Sequence, residues 1–230
     1  MATRYVLAID LGSGSHKAAV VSDTGQVIAS AAEPVATHLL PNGGAEQDPE
    51  QWWNGAMAAE AAPGSGGVIF LPWLNGSVVP SENPHVRGGF INLSLSITRS
   101  HLARAVMEAL AYNNRWTQKP AEKLIGRPLE HFRFSGGGAL SDVWSQILAD
   151  VLGVAIHQVD DPVSTTVRGS ALPALVILGY RSLAEVPGLV KIRKVFQPQA
   201  SNRAVYDKMF TQYRELFKRN KRIFAALNAA

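Results

Sequence analysis

The residues best suited to chemistry lie between positions 5 and 22, YVLAIDLGSGSHKAAVVS. Two β-rich runs, 5–9 and 17–21, flank a turn of Gly12, Ser13, Gly14 and Ser15, with Asp10 closing the first run and Lys17 opening the second. A Gly/Ser turn leaves several backbone N–H groups free to converge on one spot, a concave nest of donors that suits an anion. A carboxylate beside such a nest can hold Mg²⁺, directly or through water, because Mg²⁺ takes few carboxylates and keeps several waters. Asp10, the turn and Lys17 together therefore read as a phosphate and metal clamp. On this stretch alone a plain tight hairpin explains the pattern slightly better, since Gly/Ser turns between strands are common. Two named phosphate motifs are excluded. A P-loop has Gly directly before its Lys, where His16 stands, and the dinucleotide fingerprint runs into a helix, where a second strand follows.

A second candidate lies at Gly136, Gly137 and Gly138. A strand is expected over 131–135. Ser141 can cap the helix after the glycines, with Trp144, Ile147, Leu148 and Val151 on its buried face and Gly153 just past its end. Strand, glycines and helix N-terminus let backbone approach a ligand and aim the helix dipole at negative charge.

The elements around these residues follow from periodicity and caps. A third strand over 27–32 completes a β-meander. Asp48 and Pro49 are an N-cap and a first helical position, starting a helix that carries Trp52, Trp53 and Met57. Residues 58–67, AAEAAPGSGG, pass from low-complexity helix to loop, and 68–71 reads as a strand. Thr98 caps a long helix whose Leu102, Ala105, Val106, Ala109, Tyr112 and Trp116 form one buried stripe, with His101 and Glu108 on its surface. A strand is expected over 154–159 and a helix over 169–179, with Pro173 in its first turn if it starts late. An amphipathic helix over 202–227 turns Tyr206, Met209, Phe210, Tyr213, Leu216, Phe217, Ile223 and Phe224 inward.

Composition narrows the class. The chain has 230 residues, 47% of them hydrophobic, enough for one large or two small domains. It has no cysteine, which excludes a disulfide framework and thiolate metal sites. The N-terminus runs straight into a strand with no signal-peptide pattern, and the longest apolar run, 171–180, is too short to span a bilayer. A cytoplasmic chain without membrane contact is expected. The net charge is +4, and Lys208, Arg214, Lys218, Arg219, Lys221 and Arg222 gather on one amphipathic helix. They read as a solvated face rather than a nucleic-acid patch.

DLGSGSHK resembles the first phosphate motif of the actin-like ATPases and sugar kinases. Gly88-x-Phe90, Leu93 and His101-Leu102-x-x-Ala105-Val106-Met107-Glu108 resemble the C-terminal signature of the FGGY carbohydrate kinases, departing at Asn92, where the signature carries glycine. Asn tolerates a left-handed backbone better than most residues. SGGGALSDVWSQILADVLG closely resembles that family's adenosine motif, Gly169-Ser170-Ala171 its Gly-Ala pair, Phe196-Gln197-Pro198 its FxP, and residues 66–87 the xylulokinase branch. The resemblance covers 1–57 and about 63–230. It implies an α/β chain of the actin-like ATPase (ribonuclease H-like) fold, with a partial N-terminal domain at 1–57, a junction at 58–67 and a C-terminal domain at 68–230.

The resemblance further implies ATP-dependent phosphorylation of a small sugar or polyol with Mg²⁺. It places Asp10, Gly12, Ser13, Ser15 and Lys17 at the phosphates, Asp10 at the metal, and Gly136, Gly137, Gly138 and Ser141 at the adenosine. Between the two blocks the family carries the rest of its first domain, the sugar pocket, the catalytic aspartate and a second phosphate loop, none of which this sequence contains. No other carboxylate substitutes for the base: Asp142 and Asp150 fall on the adenosine helix, and Asp160 and Asp161 in a loop. The expected chain is therefore a sugar kinase by family with doubtful activity of its own, or alternatively a non-catalytic nucleotide-binding or regulatory remnant. A different actin-like ATPase, such as a chaperone or filament protein, is disfavoured by the combined signatures. Residues 1–57 bury little surface alone. They are expected to pack on the C-terminal part, to self-associate as in a homodimer, or to be loosely ordered.

Overall fold

A computed structural model describes residues 4–11, 15–34 and 55–228. The chain divides into two compact units. The first takes the described residues of Met1–Trp53 with Arg133–Leu140 and His157–Lys194, and the second takes Asn54–Phe132, Ser141–Ile156 and Val195–Ala230.

In the first unit, strands β1 (Tyr5–Leu11), β2 (Ser15–Ser22) and β3 (Val27–Pro34) form an antiparallel meander of order β1-β2-β3. Its register slips between Val20 and Val21, opposite which Ile28 is an extra residue, a bulge that bends the third strand. The turn before β3 depends on Gly25. Its φ is +78°, and a Cβ there would stand 2.7 Å from Leu189 Cβ and 2.8 Å from the Leu189 carbonyl oxygen. The meander lays Ala8, Ala19 and Val21 against Val167 and Ala171 of helix α4 (Thr165–Ile177), with Val6 and Val27 at the margin. All five buried residues are alanine or valine, and such short side chains let the helix lie close to the sheet.

Helix α4 begins four residues before the expected Gly169, so Pro173 sits in its interior rather than its first turn. The turn ahead of it explains the early start. Asp161 adopts φ +46°, residues Pro162–Ser164 form a 3-10 turn, and Thr165 Oγ1 donates to the Pro162 carbonyl at 2.8 Å. From there Arg168, Ala171, Leu172 and Leu175 fall on one buried face, and that burial outweighs the weak helix preference of Thr165, Thr166 and Val167.

The second unit is built on α2 (Arg99–Ile125) and α6 (Arg203–Asn228), with α1 (Gly55–Ala59), α3 (Asp142–Leu152) and the two-stranded ladder of β4 (Ile69–Leu71) and β5 (Gly89–Ile91). Its centre is aromatic: Tyr213 lies 5.1 Å from Trp73 and 5.6 Å from Tyr112, and Phe217 packs on Trp73 and Trp116 at 4.8 and 5.0 Å. Thr98 caps α2 reciprocally with His101, whose Nδ1 lies 2.8 Å from Thr98 Oγ1, so His101 has a structural role at the surface. Asn92 takes the left-handed backbone at φ +67°, and its Nδ2 donates to the Gly67 carbonyl at 3.1 Å.

Two residues depart from the expected faces. Glu108 is not on the surface of α2; only 1% of it is exposed. Its Oε1 accepts from the Gly64 N–H (2.9 Å), Arg104 Nε (2.8 Å) and the Tyr206 hydroxyl (3.1 Å), and its Oε2 from Ser65 Oγ (2.9 Å). Glu108 stands between Ala105 and Tyr112 in the apolar stripe, and these four donors make a buried carboxylate tolerable there. Arg104 completes the cluster by donating to the Ala61 carbonyl and to the Tyr206 oxygen. Burial, and then the Glu108 charge, push the Tyr206 phenol well above its ordinary pKa, so it remains a donor. Ile223, expected inward, is 56% exposed, because α6 runs past its last buried residue, Phe217.

A third sheet, of order β6-β7-β8, is formed by β6 (His131–Phe134), β7 (Ala155–Val159) and β8 (Ile192–Phe196). A four-residue helix, α5 (Val186–Leu189), precedes the last of these strands. Ser141 caps α3 as expected: its Oγ accepts from the Trp144 N–H at 3.2 Å, and Gly153 ends the helix at φ +72°. Ser141→Ala is expected to cost about 1 kcal/mol of stability, the usual worth of an N-cap hydroxyl, measured by urea denaturation. Among the described residues no helix is long and apolar enough to cross a membrane.

Candidate functional site

The first unit contains both strands of the hairpin and the glycine turn that the sequence singled out. In the hairpin, Asp10 is the register partner of Lys17 and Leu11 that of His16 across the antiparallel ladder. Ser15 opens β2. Gly12 and Ser13 lie outside the described residues. β1 and β2 are held from behind by Val167 and Ala171, so the helix that buries the meander is the one that follows the loop of Asp160 and Asp161.

The glycine turn follows β6. Gly136 has φ +84°, a conformation that glycine adopts without penalty, and its N–H donates to the Pro162 carbonyl at 2.8 Å. Its carbonyl accepts from the Ala139 N–H at 3.0 Å, and residues Gly137–Leu140 form a 3-10 turn. The Ala139 carbonyl in turn accepts from Nε2 of the fully buried Gln158 on β7, at 2.6 Å. Ala139 is therefore anchored from inside, while Gly136 and Gly137 open outward: a Cβ built at either meets no atom within 4 Å. This is a rigid, bare stretch of backbone of the kind that accepts a ligand at close range.

Gln158 and Pro162 were not singled out from sequence, although both position the turn. Gln158 gave one weak signal, a polar residue at an inward position of a strand otherwise apolar there. Ser141 belongs with the second unit and is engaged as the α3 cap.

Two of the remaining carboxylates, Asp150 and Asp161, are engaged in the structure. Asp150 is buried and accepts from Gln146 Nε2, the Gln199 N–H and Asn202 Nδ2, each at 2.8 Å. Asp161 pairs with Arg168 at 3.5 Å, and Arg168 also donates to the Asp160 carbonyl at 3.0 Å. A cavity of about 300 Å³ beside these aspartates is lined by Gly25, Asp160, Asp161, Arg168 and Lys191 and includes none of the three glycines. Among the described residues no three His, Asp or Glu side chains are grouped to hold a metal ion.

Xylulose kinases are among the solved structures that superpose on this chain. A xylulose kinase from Lactobacillus acidophilus superposes with a TM-score of 0.65 at 26% identity, over 83% of this chain and 38% of that one. A xylulose kinase from Rhodospirillum rubrum gives 0.63 at 26%, over 95% and 48%. The fold is the α/β actin-like ATPase fold of these kinases. Residues 18–178 match the C-terminal domain of the FGGY family of carbohydrate kinases, and the chain belongs to that family. In sequence it is 30% identical over 173 residues to a xylulose kinase of Staphylococcus epidermidis, covering 74% of this chain and 34% of the relative. It is 34% identical over 145 residues to a glycerol kinase of Leptothrix cholodnii, covering 61% and 29%. The chain thus spans about a third of the length of the curated relatives it matches.

Proposed function

We propose that this chain is a nucleotide-binding portion of an FGGY carbohydrate kinase of the xylulokinase type, which holds Mg·ATP or Mg·ADP weakly and does not itself phosphorylate a sugar. The observation that carries the reading is the bare backbone at Gly136 and Gly137, anchored through Pro162 and Gln158 and open on the side where a ligand would lie. Gly136, Gly137 and Gly138 would contact the adenosine and α-phosphate, and Ser141 fixes the helix that begins just beyond them. Gly12, Ser13, Ser15 and Lys17 would meet the phosphates, and Asp10 would hold the metal. Mg²⁺, when bound, neutralises phosphate charge. In domain terms, residues 1–57 correspond to the start of the family's first domain, 58–67 to a junction, and 68–230 to its second.

The xylulose and glycerol kinase relatives support a small sugar or polyol as the acceptor of the whole protein. Phosphoryl transfer needs that hydroxyl in line with the γ-phosphate, an alignment worth about 7–11 kcal/mol of barrier. A positioned general base adds roughly 10²- to 10⁴-fold. Asp150 and Asp161 are already bonded to Gln146, Gln199 and Asn202 or to Arg168 and are poor candidates for that base.

The test is a coupled ADP-release assay with xylulose, ribulose, glycerol and gluconate, beside an Asp10→Ala control. No sugar-dependent turnover is expected. Turnover that disappears in the control would overturn the reading and require a base from elsewhere, such as a second chain. The alternative, a regulatory remnant, shares the binding and lacks the acceptor, so a sugar that tightens Mg·ADP binding would count against it.

A further inference from the structure

A second cavity, of about 470 Å³, lies within the second unit between α2 and α6. Its size is that of a small-molecule site. It meets α3 only at Leu152, the end of that helix away from Ser141 and roughly 16 Å along its axis at 1.5 Å per residue. It is therefore separate from the capped end that follows the glycines.

Its walls carry four cations, Arg115, Lys119, Arg203 and Arg214, and two aromatic rings, Trp116 and Phe210. The guanidinium carbon of Arg115 lies 4.5 Å from the ring centroid of Phe210, and that of Arg214 lies 5.7 Å from Trp116 and 5.9 Å from Phe210. A guanidinium carries donors that can meet two oxygens of a phosphate or carboxylate at once. The acids nearby do not balance this charge. Asp207 is shared between Arg115 and Arg203, and Glu122 accepts from Gln118 Nε2 at 3.2 Å and the Leu129 N–H at 3.1 Å. Among the described residues no carboxylate pairs with Lys119 or Arg214. Two further nitrogens of these side chains, Arg115 Nη1 and Arg214 Nε, are buried and meet no acceptor among the described residues. Buried donors without acceptors are uncommon and costly.

We infer that this cavity is a binding site for a small organic anion, an apolar or aromatic body bearing a phosphate or carboxylate. Trp116, Phe210 and Leu152 face the body, and Arg214, Lys119 and Arg115 face the charge. Low-dielectric walls lined by one sign of charge concentrate the field on such a ligand.

Phenyl phosphate is a suitable probe, titrated into ¹⁵N-labelled protein beside benzyl alcohol, which has the body without the charge, and benzoate, which exchanges phosphate for carboxylate. Saturable binding of phenyl phosphate or benzoate is expected, with a shift of the Trp116 indole N–H, identified through Trp116→Phe. Arg214→Gln should weaken it about tenfold, the worth of one charge-assisted hydrogen bond. Lys119→Gln, at an exposed position that the fold does not need, should weaken it several-fold, and Gly137→Val should leave it unchanged. The inference is overturned if neither anion saturates, if benzyl alcohol binds as well as they do, if both charge variants bind like the parent, or if Gly137→Val abolishes binding.

Discussion

Glu108→Ala is expected to destabilise the second unit by about 3–5 kcal/mol, the cost of removing one partner from a buried ion pair. The carboxylate is 1% exposed and receives four hydrogen bonds, so its loss strands Arg104, Tyr206, Ser65 and the Gly64 N–H together. Arg104 suffers most, because it is itself 7% exposed and keeps its charge without its counter-ion. A domain's whole stability is typically about 5–15 kcal/mol, so a fifth or more would go in one substitution. The site also anchors the backbone at Gly64 and Ser65, so their amides should lose hydrogen-exchange protection before those of α6. Urea denaturation followed by tryptophan fluorescence gives the magnitude. A loss below about 1 kcal/mol would mean that the cluster contributes little net stability, as some buried pairs do.

Gly137→Val should leave the fold intact and weaken Mg·ADP about fivefold to a hundredfold. Gly137 lacks the positive φ of its neighbour, and a Cβ there meets nothing within 4 Å, so valine adds neither backbone strain nor a clash. Its methyl groups would occupy the open side of the turn, and forcing atoms into a close contact costs about 1–3 kcal/mol, which at 1.4 kcal/mol per decade is that range of affinity. Gly136→Val is the less informative change, because φ +84° would cost stability as well. Calorimetric titration with Mg·ADP, beside a thermal melt, separates the two effects. Parent-like affinity in a folded Gly137→Val protein would remove the glycine turn from the nucleotide site.

What could be read in the sequence was local. Thr98 and Ser141 announce their helices because a cap hydroxyl bonds within its own first turn, and Gly153 marks an end because its left-handed backbone is a one-residue property. Asn92 was legible for the same reason. Glu108 was not, because its partners Gly64 and Tyr206 lie 44 and 98 residues away and no periodicity reports them. The start of α4 was misplaced because Thr165, Thr166 and Val167 have weak helix preference, overridden by a buried face that exists only once the meander covers it. The paired positions of Asp10 and Lys17 were legible from the hairpin pattern, whereas the hold of Gln158 on the glycine turn required the strand and the turn to be seen together.

The packing of Ala8, Ala19 and Val21 on Val167 and Ala171 bears on how the protein is made. The meander is complete once β3 leaves the ribosome, yet the helix that covers it comes much later in the chain. At roughly 5–20 residues per second, the intervening synthesis leaves the sheet uncovered for on the order of ten seconds. Hairpins close in microseconds, so the three strands can pair long before their helix arrives, with an apolar face and a free edge presented to other nascent chains. Low yield at high expression rates, relieved by slower translation or by a holding chaperone, is the behaviour such a birth order produces.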